Sequence, residues 1–397
     1  MPLRRGWWIA AYVLVVAAFL AGVTRYYHPP FGFTAFIDFP AAGHTYEIPA
    51  VQSAPHYDNP GSAGYDGVFY AQLAVDPLLR DASIDRALDN PAYRARRILF
   101  SWTAYALGLG RPAWILKAYA IQNVLVWLLM AWLLCRWMPP STPRAFVLWA
   151  GCLLSPGMLS SVRYALPDAP SALLIAIAVV SAERLTRHPI VAGAIVGLAG
   201  LGRETSLLSA TLLGTFLRRD WRSWLLVAIA LLVCLIPLAL WVDYLRSIYF
   251  TQAFTNPGQA STPLSGLAWK LNRVRTDLLR APFDILNITS ALAVLAFLAQ
   301  GAWIAREALR PGTRPASALR AVPGKSAWVW IGASYLVLGL VTHQVVWEGT
   351  PGAFTRVLLP LAIGANALLA ARPRASWAMI VATNACALPS AWLFGWG

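Results

Sequence analysis

Apolar stretches of about twenty residues recur along the chain between short polar links, the length that a hydrocarbon core about 30 Å thick selects for. The first, Met1 to Thr24, sets Arg4 and Arg5 ahead of an apolar run and predicts a retained span with a cytoplasmic N-terminus. From Arg25 to Arg97 the apolar pattern collapses and acids gather: Asp38, Glu47, Asp58, Asp66, Asp76, Asp81, Asp85 and Asp89. Residues 25–97 therefore read as a long extracytoplasmic loop. Residues 98–110 are too short to cross and predict an interfacial or re-entrant helix on the outer side.

Further apolar segments occupy approximately 112–135, 145–162, 167–183, 189–217, 223–245, 283–304, 327–346, 354–371 and 376–395. Placing the links 136–144, 184–188, 218–222, 305–325 and 372–374 inside puts Arg136, Arg144, Arg184, Arg187, Arg218, Arg219, Arg222, Arg306, Arg310, Arg314, Arg320, Lys325, Arg372 and Arg374 in the cytoplasm, as positive-inside topology requires. Both ends of 189–217 then lie on one face. That segment is broken by Gly200-Leu201-Gly202-Arg203-Glu204, so it reads as two half-length helices in a V, with Arg203 and Glu204 near the tip. One long tilted helix with an internal ion pair is the alternative, and it would put the C-terminus on the opposite side. The outer loop 246–282 carries five basic residues, Arg246, Lys270, Arg273, Arg275 and Arg280, against Asp277. Either a surface helix over Leu267–Leu279 touching lipid phosphates or an ordinary solvated loop accounts for it.

Composition changes the picture in one respect. With 58% hydrophobic and 12% charged residues among 397, a water-soluble globule is excluded. The fold class expected is an all-α polytopic membrane protein, one transmembrane domain over 1–397, with about nine full spans, a short helical hairpin and a long first external loop with interfacial helices. A net charge of +15 would suggest nucleic acid on a soluble chain. Here the basic residues sit in short links and read as topology signals and headgroup contacts, so no nucleic-acid partner is expected. Cys135, Cys152, Cys234 and Cys386 lie inside apolar segments without a CxxC or clustered histidines, and neither a disulfide nor a metal is inferred from them.

The stretch richest in chemistry runs from Gly64 to Pro77 and resumes from Leu88 to Leu99. Tyr65, Phe69 and Tyr70 predict an amphipathic helix lying on the bilayer, which sets Asp66 at the water–lipid boundary. A carboxylate there can take a proton from a hydroxyl while a lipid-borne substrate approaches from the membrane.

The pattern YDGxFYxxxAxDP followed by LDNPxYRxxRIL resembles a bacterial family of multipass proteins assigned to cell-surface glycopolymer formation and, more distantly, the GT-C glycosyltransferases. Among the latter are the mannosyltransferases of GPI-anchor synthesis and the protein O-mannosyltransferase and aminoarabinose transferase group. The likeness is close over the first loop and weaker through Gly202 to Thr205 and Ala353 to Pro360. It implies a catalytic acid in the first loop acting as general base on an acceptor hydroxyl, and a polyprenyl-phosphate sugar as donor. Asp66 matches the motif position; Asp38, nearer the first span, is the rival. No DxD motif is present, so no metal or other cofactor is expected.

The leaving polyprenyl phosphate needs its charge stabilised, and arginine suits this by bidentate contact. The candidates are Arg94, Arg97, Arg163, Arg203 and Arg356. Tyr65, Tyr70, Glu204, His343 and Glu348 are the candidates for holding an acceptor glycan or glycolipid. The resulting expectation is a glycosyltransferase of a bacterial plasma membrane with its active site facing the exterior. A flippase for lipid-linked sugars or a non-catalytic scaffold in polysaccharide assembly is the alternative.

Overall fold

The computed structural model describes residues 3–42, 46–184, 188–250, 261–310 and 323–396. Arg187, Arg314 and Arg320, counted above among the link charges, lie outside them, as does 251–260 of the second external loop. The regular structure of the described residues is nearly all helical. It opens with α1 (Leu3–Thr24) and enters a loop of short helices: α2 (Pro49–Gln52), α3 (Asp66–Val75), α4 (Ile84–Ala87), α5 (Pro91–Ala95) and α6 (Leu99–Leu107). Two short parallel strands, β1 (Phe39–Pro40) and β2 (Asp58–Asn59), pin that loop to itself.

The bundle continues with α7 (Pro112–Leu134), α8 (Pro143–Leu153), α9 (Pro156–Arg163), α10 (Asp168–Arg184), α11 (Pro189–Gly202), a 3₁₀ run over Glu204–Phe216 and α12 (Trp221–Ile248). After it come α13 (Ser265–Arg280), α14 (Ile285–Leu309), α15 (Pro323–Val341), α16 (Gln344–Trp347), α17 (Phe354–Val357), α18 (Leu359–Ala370), α19 (Trp377–Thr383) and α20 (Ala387–Trp396).

Among the described residues, five helical segments are long and apolar enough to cross a membrane: Gly6–Thr24, Pro112–Leu134, Trp221–Ile248, Ile285–Leu309 and Trp377–Gly395. The pair α8 and α9 makes a sixth if counted as one span bent by 43°. The bend follows from Ser155-Pro156: the serine side chain accepts from the Met158 amide as an N-cap and the proline starts a new helix. On α12, Leu225, Leu226, Leu231, Leu232, Leu235, Ile236 and Leu240 are all exposed, and on α1 so are Trp7, Ile9, Val13 and Leu14. Apolar faces of this extent are stable against lipid, not water. The protein is a multipass membrane protein.

The two ends of the bundle differ in chemistry. At one, Arg136 pairs with Glu183 at 2.6 Å, Arg372 with Glu307 at 2.7 Å, and Arg144 donates to the carbonyls of Leu369 and Pro373. The first loop packs at the other. Segment 189–217 reverses between them: Pro189 and Phe216, its two extremities, line one cleft with Arg218 and Asp220. In a straight helix seven residues rise about 10.5 Å, yet a Cβ on Gly200 would meet Leu207 Cδ2 at 2.7 Å. The reversal occurs at Arg203, whose backbone is extended (φ −155°, ψ 121°).

One expectation fails in detail. Helix α3 does not lie on a bilayer surface, because Gly67, Val68 and Tyr70 through Ala74 are buried. After Asp66 it has no charged residue to keep one face wet, so it sinks against α6 and α7. Residues 267–279 do form a helix, α13, with Leu271 and Leu279 exposed, but Leu267 and Lys270 are buried and Lys270 donates to the Gly349 carbonyl.

Candidate active site

Asp66 occupies the first turn of α3, an orientation the helix dipole favours for an anion. The glycine that follows it is obligatory. A Cβ at Gly67 would come within 2.2 Å of the Tyr164 carbonyl oxygen, so only glycine lets α3 dock on the end of α9. Gly157 does the same for the second half of the site: its Cβ would meet the Thr355 carbonyl at 2.1 Å, and the close approach it permits seats α17 and Arg356 beside α9. Helix α5 is set by Asn90, which caps it by accepting from the Tyr93 amide, and by Pro91 at its first position. That cap fixes the direction of Arg94.

These three elements close on the Asp66 carboxylate. Its Oδ2 accepts from Arg356 Nη2 at 2.9 Å, and its Oδ1 lies 3.0 Å from Arg94 Nη2. Burial alone would raise the Asp66 pKa, but the guanidiniums of Arg356 and Arg94 outweigh it and hold the carboxyl well below the usual carboxylate range. Arg94 also grips Asp89 through Nε and Nη2, both at 2.7 Å. Arg356 lies 4.0 Å from Asp168, which pairs on its other oxygen with Arg203. Asp66 keeps 23% of its side chain exposed, facing a cleft of about 510 Å³ also lined by Gly64, Tyr65, Phe69, Leu88, Asp89 and Arg94.

A second cluster adjoins the first. Arg97 forks onto Glu204 at 2.8 and 2.7 Å and donates to the hydroxyls of Tyr70 (2.9 Å) and Tyr93 (2.6 Å), while Arg96 reaches Glu204 at 3.4 Å. Glu204 is thereby a partner of the loop, fastening the hairpin tip to the end of α5. Arg203 and Glu204, adjacent in sequence, pair in different directions.

No known protein family, curated protein or solved structure matches this chain. The site is therefore read from its own geometry. Asp66, Arg94, Arg203 and Arg356 form one connected set, and Tyr65 lies beside it, with Arg356 5.3 Å from the centre of its ring. Asp38 is elsewhere: it is 3% exposed, accepts from Asn59 at 2.8 Å and Ser62 at 2.6 Å, and lies 3.4 Å from Arg163. Those contacts make Asp38 a staple of the loop rather than a group open to substrate.

Arg163, so engaged, also sits over the rings of Tyr26 and Tyr164. Tyr70 is 2% exposed and turned toward Arg97, so it does not reach the cleft as an acceptor contact. His343 and Glu348 flank α16 beside α13, outside the cleft lining, and the neighbouring Trp347 is fully buried against Phe354 rather than free to stack on a sugar.

Asp168 was missed by the sequence reading. It is fully buried at the start of α10 and holds Arg203 and Arg356 in place. The available signal was a lone acid, Pro167-Asp168-Ala169-Pro170, opening an otherwise apolar run.

Proposed function

We propose that the chain is a membrane glycosyltransferase of GT-C type that moves a sugar from a polyprenyl-phosphate donor to a hydroxyl of a glycan or glycolipid at the outer face of a bacterial plasma membrane. The observation that carries this reading is Asp66, which lines the cleft, held between Arg94 and Arg356. A base and cations suited to a phosphate converge there in a bundle whose apolar helices suit a lipid-borne donor. On this reading nine traverses of the bundle, some of them broken or short, surround the hairpin 189–217, whose tip reaches the site from within the membrane.

The acceptor oxygen attacks the anomeric carbon, the bond from that carbon to the phosphate oxygen breaks, and its electron pair leaves with the polyprenyl phosphate. The hydroxyl proton goes to Asp66. In the resting site Asp66 is a weak base, because two guanidiniums stabilise its charge. A donor phosphate competes for the same guanidiniums. As Arg356 turns toward the phosphate, Asp66 loses a counter-charge and its proton affinity rises. Donor binding thereby readies the base, and the arginines stabilise the charge that develops on the leaving phosphate.

The test uses the purified protein in nanodiscs with a panel of short-chain polyprenyl-phosphate hexoses and pentoses labelled in the sugar. Release of polyprenyl phosphate that disappears in Asp66→Asn supports the proposal. Polyprenyl-phosphate binding without turnover of any donor sinks it in favour of a carrier or scaffold.

A further inference from the structure

The first loop holds another constellation, apart from the arginine-clamped carboxylate. Glu47, His56 and Asp58 come from three points of the segment that wraps α2, and their ligand atoms all lie within 4.8 Å of one another. His56 Nε2 is 3.2 Å from Asp58 Oδ1 and 3.7 Å from Glu47 Oε2. The histidine and glutamate side chains are 3% and 2% exposed, the aspartate 32%.

The imidazole orientation is set from outside the cluster. His56 Nδ1 is 2.8 Å from the Ala54 carbonyl oxygen. A carbonyl only accepts, so Nδ1 carries a proton and Nε2 is the atom presented to the two carboxylates. Metal-bound histidines are commonly held this way, one nitrogen fixed by a backbone carbonyl and the other directed at the ion.

We propose that Glu47, His56 and Asp58 bind one divalent first-row cation, Zn²⁺ or Mn²⁺. Metal–ligand bonds of about 2.1 Å give neighbouring donor atoms a separation of roughly 3.4 Å in a tetrahedral site and roughly 3.0 Å in an octahedral one. The distances from His56 Nε2 to Asp58 Oδ1 and Glu47 Oε2, 3.2 and 3.7 Å, are of that size. One imidazole with two carboxylates is a mixed nitrogen and oxygen donor set, which favours these ions over Mg²⁺ and Ca²⁺.

The role is structural. Asp58 begins β2, the next residue Asn59 donates to Asp38, and Glu47 forms part of the wall of the cleft that Asp66 faces. A cation here ties residues 46–59 together and holds that wall.

The experiment takes the full chain in detergent, strips it with a chelator, and titrates Zn²⁺, Mn²⁺ and Mg²⁺ separately by calorimetry, with the thermal midpoint followed in parallel. One equivalent of Zn²⁺ or Mn²⁺ is expected to bind and raise the midpoint. Affinity should fall at least tenfold in Glu47→Gln and in His56→Asn, and should be retained in Asp66→Asn, which separates this site from the proposed catalytic one. Should the variants fail to fold, pulsed electron paramagnetic resonance of Mn²⁺ on the unmodified protein decides: coupling to the nitrogen of one imidazole supports the site. No stoichiometric binding, or binding without a nitrogen ligand, overturns it.

Discussion

Replacing Asp66 by Asn is the sharpest perturbation of this site, because it keeps the shape and one acceptor oxygen while removing the charge and the basic atom. General-base catalysis contributes roughly 10²- to 10⁴-fold, or about 2.7 to 5.5 kcal/mol at 1.36 kcal/mol per tenfold. Turnover should fall by that factor. Folding is not untouched. Unit charges about 4 Å apart interact by about 4 kcal/mol at an effective dielectric constant of about 20. In the variant, however, Arg94 retains Asp89, Arg356 retains Asp168, and the desolvation of the Asp66 charge is relieved. A net loss of about 2 kcal/mol remains, visible as a lower thermal midpoint but short of unfolding.

Donor affinity separates this mechanism from simple scaffolding. In the intact protein the donor phosphate must compete with Asp66 for Arg356 and Arg94, so the variant should bind a polyprenyl phosphate more tightly, by about 3- to 10-fold, even as it stops turning over. Tryptophan fluorescence reads binding, and single-turnover transfer of labelled sugar reads chemistry. Full turnover in the variant would refute the general-base role. Turnover and affinity lost together would mean that Asp66 only organises the arginines.

Other outcomes follow from the same geometry. Arg356→Lys keeps the charge but loses the fork, so donor affinity should weaken by about tenfold and transfer should slow; unchanged affinity would move the phosphate to Arg94 or Arg97. Asp168→Asn strands Arg203 beside a fully buried position, while Arg356 keeps Asp66, and should cost about 3 kcal/mol of stability, measurable as a drop in the detergent melting midpoint. Gly67→Ala should cost about 1–3 kcal/mol by forcing α3 away from Tyr164, with loss of activity greater than the loss of fold. Burial pushes the Lys270 ammonium down to about 8. Above that pH the folded state holds fewer protons than the unfolded one, so stability should rise from about pH 8 toward about pH 10, by up to about 1.4 kcal/mol per unit, and Lys270→Met should flatten the rise.

Apolar run length carried the multipass membrane character, because it answers to the bilayer itself. It over-read continuity. Segment 145–162 breaks at Ser155-Pro156 and 354–371 divides into α17 and α18 just ahead of Pro360, since a hydropathy window sums side chains and is blind to a proline that starts a new helix. At the site, the aromatics around Asp66 and the two patterns YDGxFYxxxAxDP and LDNPxYRxxRIL were visible as local motifs, which is why Asp66 and Arg94 stood out. Pairings between distant segments were not. Arg203 looked in need of an external anion because its true partner, Asp168, sits in another helix; Glu204 looked like a substrate contact because Arg97 is far off in sequence. Tyr70 drew the eye as an exposed aromatic, and burial of α3 on both faces turned it inward. The Glu47, His56 and Asp58 cluster has no repeating interval to betray it.

Charge around Asp66 bears on the proposed reaction in a way that no single contact does. Arg94, Arg96, Arg97, Arg203 and Arg356 face Asp66, Asp89, Asp168 and Glu204, five guanidiniums against four carboxylates. The connected site therefore carries one net positive charge. A polyprenyl-phosphate sugar is a phosphodiester and brings one negative charge, so the complex with donor is neutral. During transfer the phosphate gains a second negative charge as the glycosidic bond breaks, while Asp66 loses its own by taking the acceptor proton. The protein's surplus grows to two at the moment the leaving group becomes a dianion. Stabilisation thus increases along the reaction coordinate, which is the condition for an interaction to accelerate chemistry rather than merely bind substrate. An arginine removed from this set should lower turnover more than donor affinity, and Arg97→Gln, which touches Glu204 rather than Asp66, tests it in protein whose thermal midpoint shows that the fold is kept. A fall in kcat at least several times the loss in donor affinity is expected. Equal losses would show that the network acts only in binding.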